Sequence, residues 1–165
     1  MSWLNEPFEW SLAGDVLTVC AEPETDFWRT THYGFVRDNG HFLPTGQLGL
    51  RFRGDFATQY DQAGLMLRLD AEHWIKAGIE LDHDRLWLSV VVTNGVSDWS
   101  QQPAPPPDDA GWWTIRAERG DDSVQLWCGD QPIRLAPFGA GELLSGPMCA
   151  APKGPGFTCS FAPLT

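Results

Sequence analysis

The chain has 165 residues, of which 42% are hydrophobic and 20% charged, values that are typical of a globular protein and exclude a disordered one. At this length we expect one domain, residues 1–165, with a sizeable core. The net charge of −11 argues against nucleic acid and anionic membranes as partners, because both carry negative charge.

Short runs rich in Val, Leu, Phe and Trp alternate with Gly and Pro along the chain, at intervals typical of β-sandwiches and barrels. Helical periodicity is nearly absent, and residues 108–111 and 139–145 could each hold at most one helical turn. The predicted strands are residues 16–21, 33–37, 41–43, 46–54, 62–70, 74–82, 86–93, 112–119, 123–128, 133–138 and 156–161.

Three reversals are predicted between these strands. Asn39-Gly40 predicts a tight hairpin joining 33–37 to 41–43, since Asn-Gly readily adopts positive φ angles. His83-Asp84 and residues 70–73 predict two more. Residues 101–107, QQPAPPP, cannot form a central strand because proline donates no ladder hydrogen bond. We expect a semi-rigid loop there, either connecting two sheets or bordering a groove.

Polar residues recur on one face of two successive predicted strands, 62–70 and 74–82. Side chains alternate along a strand, so Lys76 and Glu80 share a face opposite an apolar one, and Gln62 occupies the equivalent face of 62–70. If the two strands pair through 71–73, Gln62 and Glu80 lie near one end and Lys76 nearer the middle. Gly64 and Gly78 are expected to leave shallow space on this surface.

The strand 86–93 is apolar on both faces near its centre, which is typical of a strand in the middle of a sheet. The polar surface is therefore expected to be partly sheltered. Lys76 and Glu80 in shelter would either form a structural ion pair or hold a ligand. The strand 112–119 repeats the alternating pattern, and Arg116 is predicted to join the same surface.

Several motifs in this order resemble a family of domains of unknown function with a concanavalin A-like lectin/glucanase fold, which includes a yeast regulator of enolase. They run from Trp3 to Phe161 and include TDFWRTTHYGF, DNGHF, YDQAGLM, WIKAGIE, LSVVVTNGVSDWS and GPMCAAPKGPGF. The resemblance implies an all-β, concanavalin A-like jelly-roll sandwich of two antiparallel sheets, with little or no helix. Proteins of that fold bind or cleave carbohydrate on a concave sheet face, and the yeast member implies a regulatory role around sugar metabolism.

The sequence gives little support to catalysis. A retaining glycosidase needs two carboxylates about 5–5.5 Å apart. Glu80 and Asp82 are two residues apart on a strand, which separates them by about 7 Å. The E-x-D-x-x-E arrangement of glucanases of this fold is missing. A lyase could draw on Tyr60, Gln62 and His41, but the chain has few basic residues for a polyanionic substrate.

The sequence carries no motif for metal binding, for phosphate binding or for secretion. The sequence has no H-x-H or H-x-x-x-H pair and no glycine-rich phosphate loop, so we expect no metal and no cofactor. The four cysteines form no C-x-x-C pair, and the N-terminal residues lack a secretory signal pattern. We expect a cytoplasmic protein with reduced thiols.

Carbohydrate binding requires exposed aromatic rings, a few planar polar groups and a groove. Trp28 and Trp99 stand in loop-like contexts, where their rings could overhang the sheet. We predict non-catalytic binding of a carbohydrate or related polar metabolite on the concave face. A protein-binding regulatory module that uses the same aromatic rings is the alternative, and a polysaccharide hydrolase or lyase comes third. The predicted binding residues are Trp28, Tyr60, Gln62, Lys76, Glu80, Asp98, Trp99 and Arg116.

Overall fold

The computed structural model describes residues 2–164, and its regular structure there is entirely β-strand. In chain order the strands are β1 (Trp10–Ala13), β2 (Val16–Ala21), β3 (Phe27–Arg29), β4 (Val36–Asp38), β5 (His41–Phe42), β6 (Gly49–Gly54), β7 (Gln62–Arg68), β8 (His73–Asp82), β9 (Arg85–Asn94), β10 (Val96–Pro103), β11 (Trp113–Arg119), β12 (Ser123–Cys128), β13 (Gln131–Pro137), β14 (Leu144–Ala150) and β15 (Phe157–Pro163).

Two large sheets form a sandwich. One has seven strands in the order β1-β2-β15-β6-β11-β12-β13, and the other has six in the order β10-β9-β8-β7-β14-β5. Neighbouring strands within each sheet run antiparallel. The prediction of an all-β sandwich of antiparallel sheets is confirmed. No helix occurs in residues 2–164, so none in that part of the chain could cross a membrane.

The main core lies between the two large sheets and follows from strand alternation. On β8, Ile75, Ala77 and Ile79 point inward and are at most 1% exposed. They meet inward residues of the seven-stranded sheet such as Leu50 and Phe52. Each fully buried side chain of this size stabilises the fold by about 1.5–3 kcal/mol, so the sandwich fixes which residues of the six-stranded sheet face outward.

A second apolar cluster covers the outer face of the six-stranded sheet. Strands β3 and β4 pair as a hairpin, and with the turn 30–35 they form what we call the covering hairpin. Phe27 of this hairpin is fully buried and packs edge-on to Trp74 of β8, with ring centroids 6.2 Å apart. The hairpin is also held by two 2.7 Å hydrogen bonds from Arg68 to the Asp38 carboxylate. The face is therefore partly closed by the chain itself.

The local predictions along β7, β8 and β9 agree with the structure. The predicted bounds of β2 and β12 match, and β7 pairs with β8 through the expected short reversal. His83 and Asp84 turn the chain between β8 and β9 with φ angles of 49° and 58°, the positive values that a tight hairpin turn requires. β9 lies inside the sheet between β8 and β10, as its two apolar faces predict.

The hairpin predicted at Asn39-Gly40 is wrong, because β4 pairs with β3 and β5 pairs with β14. Gly40 serves a packing role instead: a Cβ there would lie 2.6 Å from Cδ2 of Phe27. Residues 139–145 hold no helix, and β14 begins at Leu144. Strands β1, β3, β10 and β14 were not predicted. Residues 101–103 end β10, which is an edge strand and so tolerates proline.

Candidate functional site

A cleft remains open between the covering hairpin and one end of the outer face of the six-stranded sheet. Its volume is about 550 Å³, counting the space that opens to solvent. The residues that line it are Asp26, Trp28, Tyr33, Phe35, Arg37, Tyr60, Gln62, Lys76, Glu80, Val91, Trp99, Pro152 and Lys153.

The floor of the cleft comes from β7 and β8 and contains a buried polar network. Gln62 stands opposite Glu80, and Lys76 lies further along β8, in the predicted register. The Lys76 ammonium donates to Oδ1 of Asp26 at 3.1 Å and to Oε1 of Gln62 at 2.6 Å. An ammonium has three N–H donors, so one donor of this 5% exposed side chain stays free for another acceptor.

Glu80 is the buried carboxyl group on the floor of the cleft with a raised pKa. Its side chain is 6% exposed, and burial raises its pKa to about 7, although the nearby Lys76 charge and a hydrogen bond with Ser89 oppose the shift. Oε2 accepts a hydrogen bond from Nε1 of Trp99 at 3.2 Å. A carboxyl group offers about four acceptor positions, so Glu80 keeps capacity for further hydrogen bonds in the cleft beside those with Trp99 and Ser89.

An aromatic wall stands beside this polar floor. Trp28 contacts both Tyr33 and Trp99 edge-on, with centroid separations of 5.3 and 6.1 Å. Tyr60 meets Tyr33 and Trp99 at 6.2 Å in each case. The Tyr33 hydroxyl donates to the Tyr60 hydroxyl at 2.8 Å. Burial and this hydrogen bond raise the pKa of Tyr33, so its hydroxyl is uncharged at neutral pH.

Two cations lie at the cleft in addition to Lys76. Arg37 stacks on the Phe35 ring, 5.3 Å from its centroid, and donates to the backbone oxygen of Glu24. Lys153 is exposed on the connection between β14 and β15. Neither forms a salt bridge with a carboxylate in the part of the chain that the structure describes. Lys76 and Lys153 are the two lysines of the sequence.

The structure brings together all the predicted binding residues except Asp98 and Arg116. Asp98 pairs in register with the core-facing Val92, so its side chain points away from the face that Trp99 occupies. It forms a 2.7 Å salt bridge with Arg134. Arg116 lies on β11 in the other sheet, over the ring of Trp127 and beside Glu118.

Two further expectations about the surface are corrected. Trp28 and Trp99 lie on strands β3 and β10 and not on loops. Gly64 and Gly78 do not open the surface, because the two glycines let β7 and β8 approach so closely that a Cβ on Gly64 would lie 2.6 Å from Cα of Gly78. The pattern missed Asp26, Tyr33, Arg37 and Lys153, which reach the cleft from distant parts of the sequence.

The residues that the structure describes contain no cluster of metal-ligating side chains. Across residues 2–164, no group of three or more His, Cys, Asp or Glu side chains is placed to hold a metal ion.

One family model and one yeast protein match nearly the whole chain. The sequence profile described as "Protein of unknown function (DUF1349)" matches residues 3–165. A Saccharomyces cerevisiae protein named "Regulation of enolase protein 1" is 38% identical over 98% of this chain and 86% of its own length.

Solved structures share the fold of this chain at two levels of sequence identity. A crystal structure of a functionally unknown protein from Saccharomyces cerevisiae superposes with a TM-score of 0.89 and 36% identity, covering 99% of this chain and 97% of that one. The GH43 BlXynB protein from Bacillus licheniformis has a TM-score of 0.64 at 13% identity, covering 94% of this chain and 34% of that one. The second likeness shows a shared fold alone.

Proposed function

Since the chain belongs to the protein family of unknown function DUF1349, we propose a function from its cleft: non-catalytic binding of a small carbohydrate or related polar metabolite. The observation that carries the proposal is the pairing of an aromatic wall with a buried floor that keeps hydrogen-bonding capacity. Sugars need both, because one side of their ring is apolar and their hydroxyl groups must replace the hydrogen bonds they made to water.

The free groups on the floor match hydroxyl chemistry. The Glu80 carboxyl keeps acceptor capacity beside its hydrogen bonds with Trp99 and Ser89, and the Lys76 ammonium has one donor without a partner among residues 2–164. A hydroxyl can donate to the first and accept from the second. Because both side chains are held in place by the network with Asp26 and Trp99, little conformational entropy remains to be lost on binding.

The covering hairpin sets the size of the ligand. A polysaccharide lying across the strands would need an open groove, but Phe27 and Trp28 occupy the outer face above Trp74 and Met66. The open part of the cleft is confined to the end of β7 and β8 near Tyr60. This supports a single sugar unit or the end of a short oligosaccharide as the ligand.

Calorimetric titration with a panel of monosaccharides, disaccharides and polyols tests the proposal. We expect saturable binding by the wild type and at least a tenfold loss in Glu80→Ala and in Trp99→Ala. Trp112→Ala, in the connection before β11 of the other sheet, is the matched control and should bind as the wild type does. Absence of binding across the panel, or equal binding in all three variants, would contradict the proposal.

A protein-binding regulatory role is the second candidate, and the name of the yeast relative favours it. That relative carries "Regulation of enolase" in its name and is 38% identical to this chain. Tyr33 and Phe35 are more than a third exposed at the cleft opening and offer rings to a partner. A pull-down that captures enolase in stoichiometric amount, together with silent sugar titrations, would favour this role over sugar binding.

A polysaccharide hydrolase or lyase is the third candidate. The pair considered from the sequence does not meet in the cleft, since Asp82 accepts a hydrogen bond from Gln59 and lies outside the cleft lining. Release of reducing ends, or of unsaturated products absorbing in the ultraviolet, from a polysaccharide panel would favour catalysis over simple binding.

A further inference from the structure

We propose that the ligand of this cleft is an acidic sugar, a monosaccharide unit that carries one carboxylate or phosphate group, and that Arg37 and Lys153 hold this group. The inference rests on the proposed function and narrows it. Its starting point is the distribution of positive charge in a strongly acidic chain.

Cations are scarce in this protein, and three of them line the cleft. The chain has 11 Lys and Arg against 22 Asp and Glu. Both lysines line the cleft, and Arg37 joins them. Clefts with low-dielectric walls and one predominant sign of charge concentrate the oppositely charged ligand.

Two of the cleft cations, Arg37 and Lys153, are less neutralised by carboxylates than most other cations of the chain. Among the described residues, five arginines form salt bridges with carboxylates: Arg29, Arg51, Arg68, Arg116 and Arg134. Arg37 and Lys153 form none. Arg53, Arg85 and Arg119 also form none, but all three lie outside the cleft lining.

Carboxylates in the cleft do not cancel this charge. Asp26 is already engaged by Lys76. Glu80 is the other carboxyl that lines the cleft, and its burial raises its pKa to about 7, so that it is only partly ionised at neutral pH. The charges left over are those of Arg37 and Lys153 at the opening, which calls for an anionic group there.

The geometry then divides the ligand into two parts. Its anionic group meets Arg37, whose planar guanidinium suits carboxylate and phosphate alike, and the point charge of Lys153. Its sugar ring lies deeper, against Trp99 and the aromatic wall, where its hydroxyls reach Glu80 and Lys76. A neutral sugar would occupy the same wall and floor but leave the two cations unused.

Titration calorimetry at low ionic strength with glucose, glucuronate and glucose 6-phosphate tests the inference. We expect at least one acidic sugar to bind at least tenfold more tightly than glucose. Lys153→Ala, at an exposed side chain, should reduce that preference by at least threefold. Arg53→Ala, which removes one cation from the seven-stranded sheet, is the matched control and should keep the full preference.

The outcomes separate this inference from the function on which it rests. Glucose binding as tightly as both acidic sugars would overturn the acidic ligand and leave sugar binding standing. A preference for acidic sugars that Lys153→Ala and Arg53→Ala weaken equally would overturn the assignment of the anionic group to Lys153 and Arg37. Failure of both acidic sugars, while a neutral sugar of the wider panel binds, would overturn the acidic ligand alone, and failure of the whole panel would overturn the sugar-binding function as well.

Discussion

Replacing Glu80 by Gln should remove a pH dependence of stability that the wild-type protein shows between mildly acidic and mildly alkaline pH. In the folded protein burial raises the pKa of Glu80 to about 7 from its ordinary value of 4.5. Between these values the folded state keeps a proton that the unfolded chain has lost. The folded state binds more protons at Glu80, so the contribution of Glu80 to stability is greatest below pH 4.5 and is lost as pH rises through 7.

The size of the effect follows from the two pKa values. At about 1.36 kcal/mol per pKa unit, the gap between them is worth about 3 kcal/mol, of which about 2–3 kcal/mol falls between pH 5 and pH 8. The side chain is 6% exposed, so solvent screens the effect little. Glu80→Gln keeps the shape of the side chain and an oxygen to accept from Trp99, but it does not titrate.

Urea unfolding at pH 5 and at pH 8 measures the effect. Going from pH 5 to pH 8, the wild type should lose about 2–3 kcal/mol more unfolding free energy than Glu80→Gln does. Glu142→Gln removes one exposed carboxylate and is the matched control, which should follow the wild type. If Glu80→Gln and the wild type change by the same amount, Glu80 is not a desolvated carboxyl, and the account of the cleft floor is wrong.

Two further substitutions test how the six-stranded sheet and its covering hairpin are held. Gly64→Ala should destabilise the fold by about 3 kcal/mol or more in urea unfolding, because its Cβ would collide with the backbone of β8. Gly139→Ala, whose nearest neighbour would be 3.9 Å away, should cost less than about 0.5 kcal/mol, and equal losses would refute the close approach. Arg68→Met should cost about 2 kcal/mol, since it leaves the partly buried Asp38 unpaired. Arg116→Met, from an exposed pair, should cost little, and a smaller loss at Arg68 than at Arg116 would contradict the account.

The parts of the site that sequence reasoning recovered depend on local pattern. Alternation along β7 and β8, with a reversal between them, places Gln62, Lys76 and Glu80 on one face in the observed register. These signals lie within a stretch of about twenty residues, where periodicity and turn chemistry decide the outcome. The prediction of an all-β sandwich follows from the same regularity and from the family resemblance.

The covering hairpin was missed because its strands are three residues long and too short to show alternation. One signal was present. Met66, Trp74 and Val91 are large apolar residues on the face that carries Lys76 and Glu80, and so many of them require a cover. The identity of that cover, Phe27 and its neighbours, depends on packing between segments about fifty residues apart, which no local pattern specifies.

The errors at Asp98 and Arg116 have different causes. Asp98 was assigned to a loop, where neighbouring residues can face the same way, but on β10 it must point opposite to Trp99. Arg116 does lie on the polar face of an alternating strand, but β11 belongs to the other sheet. Alternation predicts which residues share a face of one strand, and the topology decides which strands share a sheet.

The most direct test of the cleft as a ligand site is an NMR titration that follows the tryptophan indole N–H signals. The Trp99 indole donates to Glu80 at 3.2 Å and to Ser89 at 3.0 Å, so a ligand on the floor must change its environment. We expect acidic sugars to shift the Trp99 signal saturably, while the signal of Trp113, which donates to Pro105 on the far side of the core, stays in place. A Trp99 signal that no sugar moves, or one that moves no more than that of Trp113, would contradict the proposed site.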